Sequence, residues 1–284
     1  MPKVPIGVLL SLTLAASAPL AAQPQGAVAS LEPLKGGGID VDYAITFWTI
    51  PFGHTSVDAH FGRNAYQTSS HFETSGIVSA FWGAIIDANS SGQLTPRGLA
   101  PAVYDSYYRR GEEKKQRVRL TYGADGLPAL LAEPPYNTAR FPVSEEQKKQ
   151  TLDPLSAVSY VLAAAKADAS NPCGKTAPVF DGRRRYNIEF TYLRDEPVKL
   201  ENGLYDGKAH LCQLHYNQIA GFKPKILKEG RAFPPIYGLF ADIPSTSAPN
   251  GHYIVALKVW TSTGLGTIAA TLSQMKVNDS ASRT

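Results

Sequence analysis

The sequence predicts a mostly β chain: an antiparallel curved sheet, an open barrel or spiral, with one main α-helix at about 154–167. Two observations carry this. Short stretches in which apolar residues alternate with polar or small ones recur between Ile39 and Lys276, separated by Gly and Pro turns. Only the segment opening at Asp153-Pro154 combines apolar residues at helical spacing with helix start and stop signals.

Residues 1–22 read as a cleavable signal peptide. Lys3 is the single charge, Ile6 to Ala18 is an apolar core too short to span a bilayer, and Ala21-Ala22 supplies small residues for cleavage near Ala22. Residues 23–38, rich in Ala, Pro and Gly, read as a flexible lead-in. Residues 39–277 are expected to form a single β-rich domain, and 278–284 a frayed polar tail. No later apolar run is long enough to cross a membrane as a helix. The expected location is an oxidising compartment, the bacterial periplasm.

From Ile39 onward, Val41, Tyr43, Ile45 and Phe47 alternate with polar or small neighbours, the mark of a half-buried strand. Thr55 to Phe61 and Ala65 to Thr74 follow as strands. Gly76 to Ile86 is more continuously apolar and reads as a buried strand or a short helix. Asp87 to Gly92 reads as a turn cluster. Tyr107 to Lys115 predicts a hairpin with a charged tip. After it, Arg117, Arg119 and Thr121 alternate with Val118, Leu120 and Tyr122, one wet face and one dry.

Ser144 with Gln147 forms a capping box. Asp153 is an N-cap and Pro154 a first helical residue, with Leu155, Val158, Leu162 and Ala165 behind them, and Asn171-Pro172 ends the segment. Strands are then expected at Tyr186 to Leu193, His210 to Ala220, Ile236 to Ile243, His252 to Trp260 and Thr267 to Lys276.

The two cysteines, Cys173 and Cys212, are expected to form one disulfide, since an exported pair without Cys-x-x-Cys is most simply a structural staple. It would hold the helix exit against the strand near Cys212. No metal site is expected. In His210-Leu-Cys-Gln-Leu-His215, strand parity puts His215 on the face opposite His210 and Cys212, and the disulfide removes the thiolate. His54 and His60 lie roughly 20 Å apart along one strand. His71, on the next strand, could meet one of them, but ordinary polar-face histidines are the simpler reading.

Arg183 and Arg185 are candidate ligand-binding residues: on one strand face, two guanidinium groups could hold a phosphate or carboxylate. The alternative is that they pair with Glu189, Asp195 or Glu196. Asp40, Asp42, Asp58 and Asp87 form no recognisable acid pair, and no nucleophile elbow, zincin motif or phosphate-cradling loop appears. No catalytic residues and no cofactor are therefore assigned. A formal charge of +4 is too small and dispersed for nucleic acid. Fourteen tyrosines suit a barrel mouth or ordinary packing.

Several runs then resemble an exported bacterial family, the domain of unknown function 3108. They are Asp153-Pro-Leu-Ser-Ala157, Pro172-Cys173, Val179-Phe-Asp-Gly-Arg-Arg-Arg-Tyr186, Tyr205-x-Gly207-x-Ala209-x-x-Cys212 and Ile219-Ala-Gly-Phe222. Tyr43 to Gly53 and Thr74-Ser-Gly76 fit as well. The resemblance implies an exported, β-rich protein whose cysteine pair matches Cys173 and Cys212, with no assigned reaction. Three functions compete. The first is a non-enzymatic periplasmic cell-envelope protein that binds an apolar or amphiphilic ligand, a lipid or envelope glycan, in the curved sheet. The second is a scaffold that binds another envelope protein through a sheet edge or the Arg117/Arg119 face. The third is a periplasmic hydrolase using His54, His60 or His71.

Overall fold

The computed structural model describes residues 28, 34, 36–81, 83–96, 98–111, 114–163, 172–229 and 234–279. The proposed signal peptide at 1–22, most of the lead-in, the end of the proposed helix at 164–167 and the last five residues of the tail lie outside the described residues.

The chain first lays down β1 (Gly37–Phe47), β2 (Ile50–Phe61), β3 (Ala65–Thr74), α1 (Gly76–Phe81), β4 (Ala84–Thr95), β5 (Gly98–Arg110), β6 (Lys114–Tyr122) and β7 (Pro128–Glu133). A connection carrying α2 (Glu145–Lys148) and α3 (Pro154–Leu162) follows. Then come β8 (Thr176–Phe180), β9 (Arg185–Lys199), β10 (Asp206–Ala220), α4 (Pro224–Glu229), β11 (Ile236–Pro244), β12 (His252–Thr263) and β13 (Gly266–Asn278).

All these strands join one antiparallel sheet in the order β7-β6-β5-β4-β3-β2-β1-β13-β12-β11-β10-β9-β8. The chain therefore starts at the sheet's middle, winds out to one edge, crosses to the other edge by α2 and α3, and winds back to the middle. There β13 pairs with β1, Gly38 opposite Asn278 and Phe47 opposite Ile268. No ladder joins β7 to β8, so the sheet curves without closing. Its two ends still meet through side chains. Tyr104, Val118 and Leu120 pack in one buried cluster with Leu155 of α3 and Phe180 of β8. Gly182, at φ +90°, turns the chain so tightly there that a Cβ would stand 2.9 Å from Leu130 Cδ1 and Val118 Cγ1.

A second buried cluster fills a wedge. β12 pairs with β13 only along Lys258 to Thr263. Behind that point Tyr253, Val255 and Leu257 of β12 pack with Ile39, Val41, Phe61 and Leu272. The opposite side of β12 carries Ile254, which packs with Cys173, Cys212 and Phe240. Burial on both sides explains why this strand reads as an unbroken apolar run.

The run Asp87 to Gly92, expected as a turn, instead forms the middle of β4. Its small residues let other groups approach. Ser90 meets α3, and at Gly92 the Tyr66 ring and the Ala100 carbonyl come so close that a Cβ would lie 2.7 and 2.3 Å from them. Gly76 to Ile86 divides into α1 and the start of β4. The short strands β7 and β8, begun or interrupted by Pro128 and Pro178, gave no alternation to read.

α3 begins as expected: the Asp153 carboxylate accepts from the Leu155 and Ser156 amides, and Pro154 occupies the first turn. Among described residues the helix runs to Leu162, with Ala163 as its cap. The capping box of Ser144 and Gln147 opens α2.

Candidate functional site

α3 lies in the hollow of the sheet, and its two sides do different work. One side is polar and buried. Tyr66 Oη lies 2.6 Å from Ser156 Oγ, and Thr68 Oγ1 lies 2.6 Å from Ser159 Oγ. Ser90 Oγ donates to Asp153 Oδ2 at 3.0 Å and lies 2.8 Å from Ser156 Oγ. This network ties the helix to β3 and β4, with every hydroxyl partnered. Asp153 is fully buried, and burial lifts its carboxyl to about 6 against the pull of the donated hydrogen bonds.

The other side of α3 is apolar and faces a cavity of about 540 Å³. Pro154, Leu155, Ala157, Val158, Val161 and Leu162 form its helical wall. The sheet supplies the rest from β1–β3 and β8–β13, notably Val57, Ile188, Phe190, Leu214, Phe240 and Ala270. No lining residue carries a charge. Val158 is 38 % exposed although α3 lies within the sheet's curve, so the cavity communicates with solvent. Tyr43, Tyr186, Tyr216, Thr55 and Ser70 provide uncharged polar contacts. Burial pushes the Tyr216 phenol up to about 12 and raises those of Tyr43 and Tyr186 further, so all three remain neutral hydrogen-bond donors.

Cys173 is bonded to Cys212, with Cα atoms 6.2 Å apart. The bond borders a small void of about 30 Å³, whose walls include Val161, Phe190, Phe240 and Ile254 of the large cavity. The staple thus braces one end of the cavity. His210 stands beside Cys212 at this void, while His215 is exposed. His210 Nδ1 bonds Asp195 Oδ1 at 2.6 Å. Together with Lys208, it draws the Asp195 carboxyl down to about 2, the lysine contributing most.

Arg183 and Arg185 are not aligned on a strand face. Arg183 belongs to the turn before β9, its backbone N–H donating to Asp181 Oδ1 and its guanidinium lying over the Tyr136 ring. Arg185 donates to the carbonyls of Gln147 and Tyr186 and to Asn187 Oδ1. The expected acidic partners are engaged elsewhere: Glu189 with Asn217, Glu196 with Arg194, and Asp195 with Lys208 and His210. On the outer face of β5 and β6, Arg117 makes a bidentate pair with Asp105 at 3.0 and 2.6 Å, so one of the two cations of the expected docking face is already engaged within the sheet.

His54, His71 and Glu73 converge on the outer face of β2 and β3, while His60 stands six positions further along β2. His54 Nε2 lies 3.4 Å from Glu73 Oε1, and His71 Nδ1 lies 2.7 Å from Asp87 Oδ1 on β4. Asp40 and Asp58 face each other across β1 and β2. Burial, and then Asp40, raise the Asp58 carboxyl.

The cavity-lining residues of β9 and β10 escaped the reading of candidate sites. Their signal was present in the alternations Tyr186-x-Ile188-x-Phe190 and Leu214-x-Tyr216. A period of two gives the buried face of a strand but not whether that face is filled by neighbours or left hollow.

A curved, unclosed antiparallel sheet around an inner helix and an apolar hollow defines a β-barrel-like protein. The chain belongs to the family described as protein of unknown function (DUF3108), whose model matches residues 40–232. Its fold is similar to that of a beta-barrel-like protein of domain of unknown function DUF1849 from Brucella abortus. That likeness has a TM-score of 0.52 at 13 % identity and covers 87 % of this chain and 100 % of the other. Comparison with curated proteins finds no match. Among the described residues no helix is long and apolar enough to cross a membrane.

Proposed function

We propose that this protein is a non-enzymatic periplasmic cell-envelope protein that holds an apolar or amphiphilic envelope ligand between α3 and the inner face of the sheet. The observation that carries this reading is the cavity. Its volume of about 540 Å³ falls within the range of roughly 300–1,000 Å³ typical of small-molecule sites. Its walls are aliphatic and aromatic, with tyrosine and hydroxyl groups as the polar contacts. An acyl chain would contact the aliphatic wall, and a neutral head or carbonyl group would accept from the tyrosines. The disulfide is compatible with an exported protein, and the apolar leader-like sequence at 1–22 supports the same location.

The test is native mass spectrometry of protein purified from the periplasm, with organic extraction of any bound species. The expected result is a lipid-like adduct on the wild type and reduced occupancy in Ala270→Trp, where the indole would enter the cavity. A clean apo mass, together with no uptake of a fluorescent fatty acid, would sink the proposal. Recovery of a tightly bound envelope protein instead would favour the scaffold reading.

A further inference from the structure

We propose that the outer face of β2–β4 carries a divalent transition-metal site, with His54, His71 and Glu73 as ligands and Asp87 holding the His71 ring. It is separate from the cavity, since Thr55, Val57 and Ser70, which line that hollow, have the opposite parity along their strands.

The sheet register brings the residues together. His54 on β2 is the cross-strand partner of Glu73 on β3. His71 lies two positions before Glu73, on the same face of β3, and is in turn the partner of Asp87 on β4. The four side chains therefore rise from adjacent, hydrogen-bonded strands, a rigid base for a coordination site.

The distances are close to those between ligands of one shared ion. His54 Nε2 is 3.4 Å from Glu73 Oε1, and His71 Nε2 is 3.7 Å from Glu73 Oε2. One ligand atom from each of the three residues lies within 4.8 Å of the others. Ligands bonded to zinc at about 2.0–2.1 Å in a tetrahedron are about 3.3 Å from each other, so small rotamer changes would bring all three to bonding distance.

The fourth residue is an independent observation. His71 Nδ1 lies 2.7 Å from Asp87 Oδ1. A neutral imidazole that donates its Nδ1 proton to Asp87 directs the Nε2 lone pair toward Glu73 and His54. This carboxylate–histidine relation is the one that metal-bound histidines commonly show, because it fixes tautomer and ring orientation and raises ligand basicity. Two imidazoles and a carboxylate suit zinc and its neighbours over calcium or magnesium, which favour all-oxygen sites. The side chains are 38 to 49 % exposed, leaving the fourth position to water and the ion free to exchange.

The test uses tag-free mature protein, stripped with chelator and titrated with zinc chloride by calorimetry. Native mass spectrometry counts the ions, and cobalt(II) absorption reports coordination. The expected result is one zinc per chain at micromolar or tighter affinity and a four- or five-coordinate cobalt spectrum. His54→Ala and His71→Ala should abolish one-to-one binding. Asp87→Asn should weaken it about 10- to 100-fold while keeping the stoichiometry. His60→Ala, on the same strand face but out of reach, should bind like the wild type. Circular dichroism verifies that each variant is folded. Absence of saturable binding to the wild type overturns the proposal. So does undiminished affinity in folded His71→Ala, or equal losses from His60→Ala and His54→Ala. None of these readouts depends on whether the cavity holds a ligand.

Discussion

Asp153 offers the sharpest test of how the inner helix is held. Its side chain is fully buried, caps α3 and accepts from the Leu155 and Ser156 amides and from the Ser90 and Ser156 hydroxyls. Burial raises its carboxyl from 3.8 to about 6 in the folded protein. A carboxyl raised in this way contributes stability that is complete below the unfolded value and is lost as pH rises through the folded one. With about 1.4 kcal/mol per decade of acidity, the whole loss is about 3 kcal/mol, of which about 2.4 kcal/mol falls between pH 4 and pH 7. Asp153→Asn retains an oxygen for the two amides but cannot ionise. Urea unfolding of both proteins, followed by tryptophan fluorescence from pH 4 to 8, isolates this one group, because the other titrations cancel in the difference. Asparagine should gain on the wild type by about 2.4 kcal/mol across that range, most of it between pH 4 and 6. A flat difference would refute the reasoning. A difference that moves against asparagine would show that the hydrogen bonds outweigh desolvation and hold the carboxylate ionised.

Other perturbations read other parts of the frame. Cys212→Ser opens a loop whose ends are 39 residues apart, which in the chain-entropy model costs about 4 kcal/mol. Calorimetry should then find the melting temperature lower by roughly 10 °C, at about 2–4 °C per kcal/mol for a chain of this size. Arg117→Ala leaves Asp105, only 3 % exposed, without its bidentate partner, and should cost about 3 kcal/mol in denaturant titration. If charge burial is the cause, adding Asp105→Asn should recover much of that loss. Gly182→Ala places a methyl against Leu130 and Val118 in a backbone conformation at φ +90°, so it should destabilise by at least 1 kcal/mol, about what an unfavourable backbone substitution costs. An equally stable alanine variant would mean that the contact between the sheet ends is loose.

How much of this architecture was legible depended on whether local sequence could express it. Alternation placed β1, β3 and β6, short apolar-rich runs placed much of β9 to β13, and Asp153-Pro154 placed the start of α3, because those signals lie within a few residues. The Asp87 to Gly92 run misled because Ser, Asn and Gly favour turns when nothing else constrains them. Here α3 packs directly over Ser90, and only a strand of small residues admits it. The expected alignment of Arg183 with Arg185 on one strand face failed for a related reason: Asp181 captures the backbone of the turn and keeps Arg183 off the strand. The rise along a strand, about 3.3 Å per residue, kept His54 and His60 out of each other's reach although they share a face. The meeting of His54, His71 and Glu73 needed the cross-strand register, which no single strand encodes. The hollow behind α3 was likewise invisible, since a residue that lines a cavity and one that fills a core obey the same alternation.

The position of β13 beside β1 has a consequence for how the molecule is assembled. Each strand from β2 to β7 can pair with the strand made just before it, and the same holds from β9 to β13. The pairing of β1 with β13 is different, because it joins the first strand of the sheet to the last. Until the final segment has been made, β1 presents an unpaired edge to any other extended chain. Contacts of such long range are slow to form, so this interval is when the half-built sheet is most open to mispairing. A chain stopped short of Gly266 would be left permanently in that condition, its seven strands β1–β7 ending on an uncovered outer edge of β1.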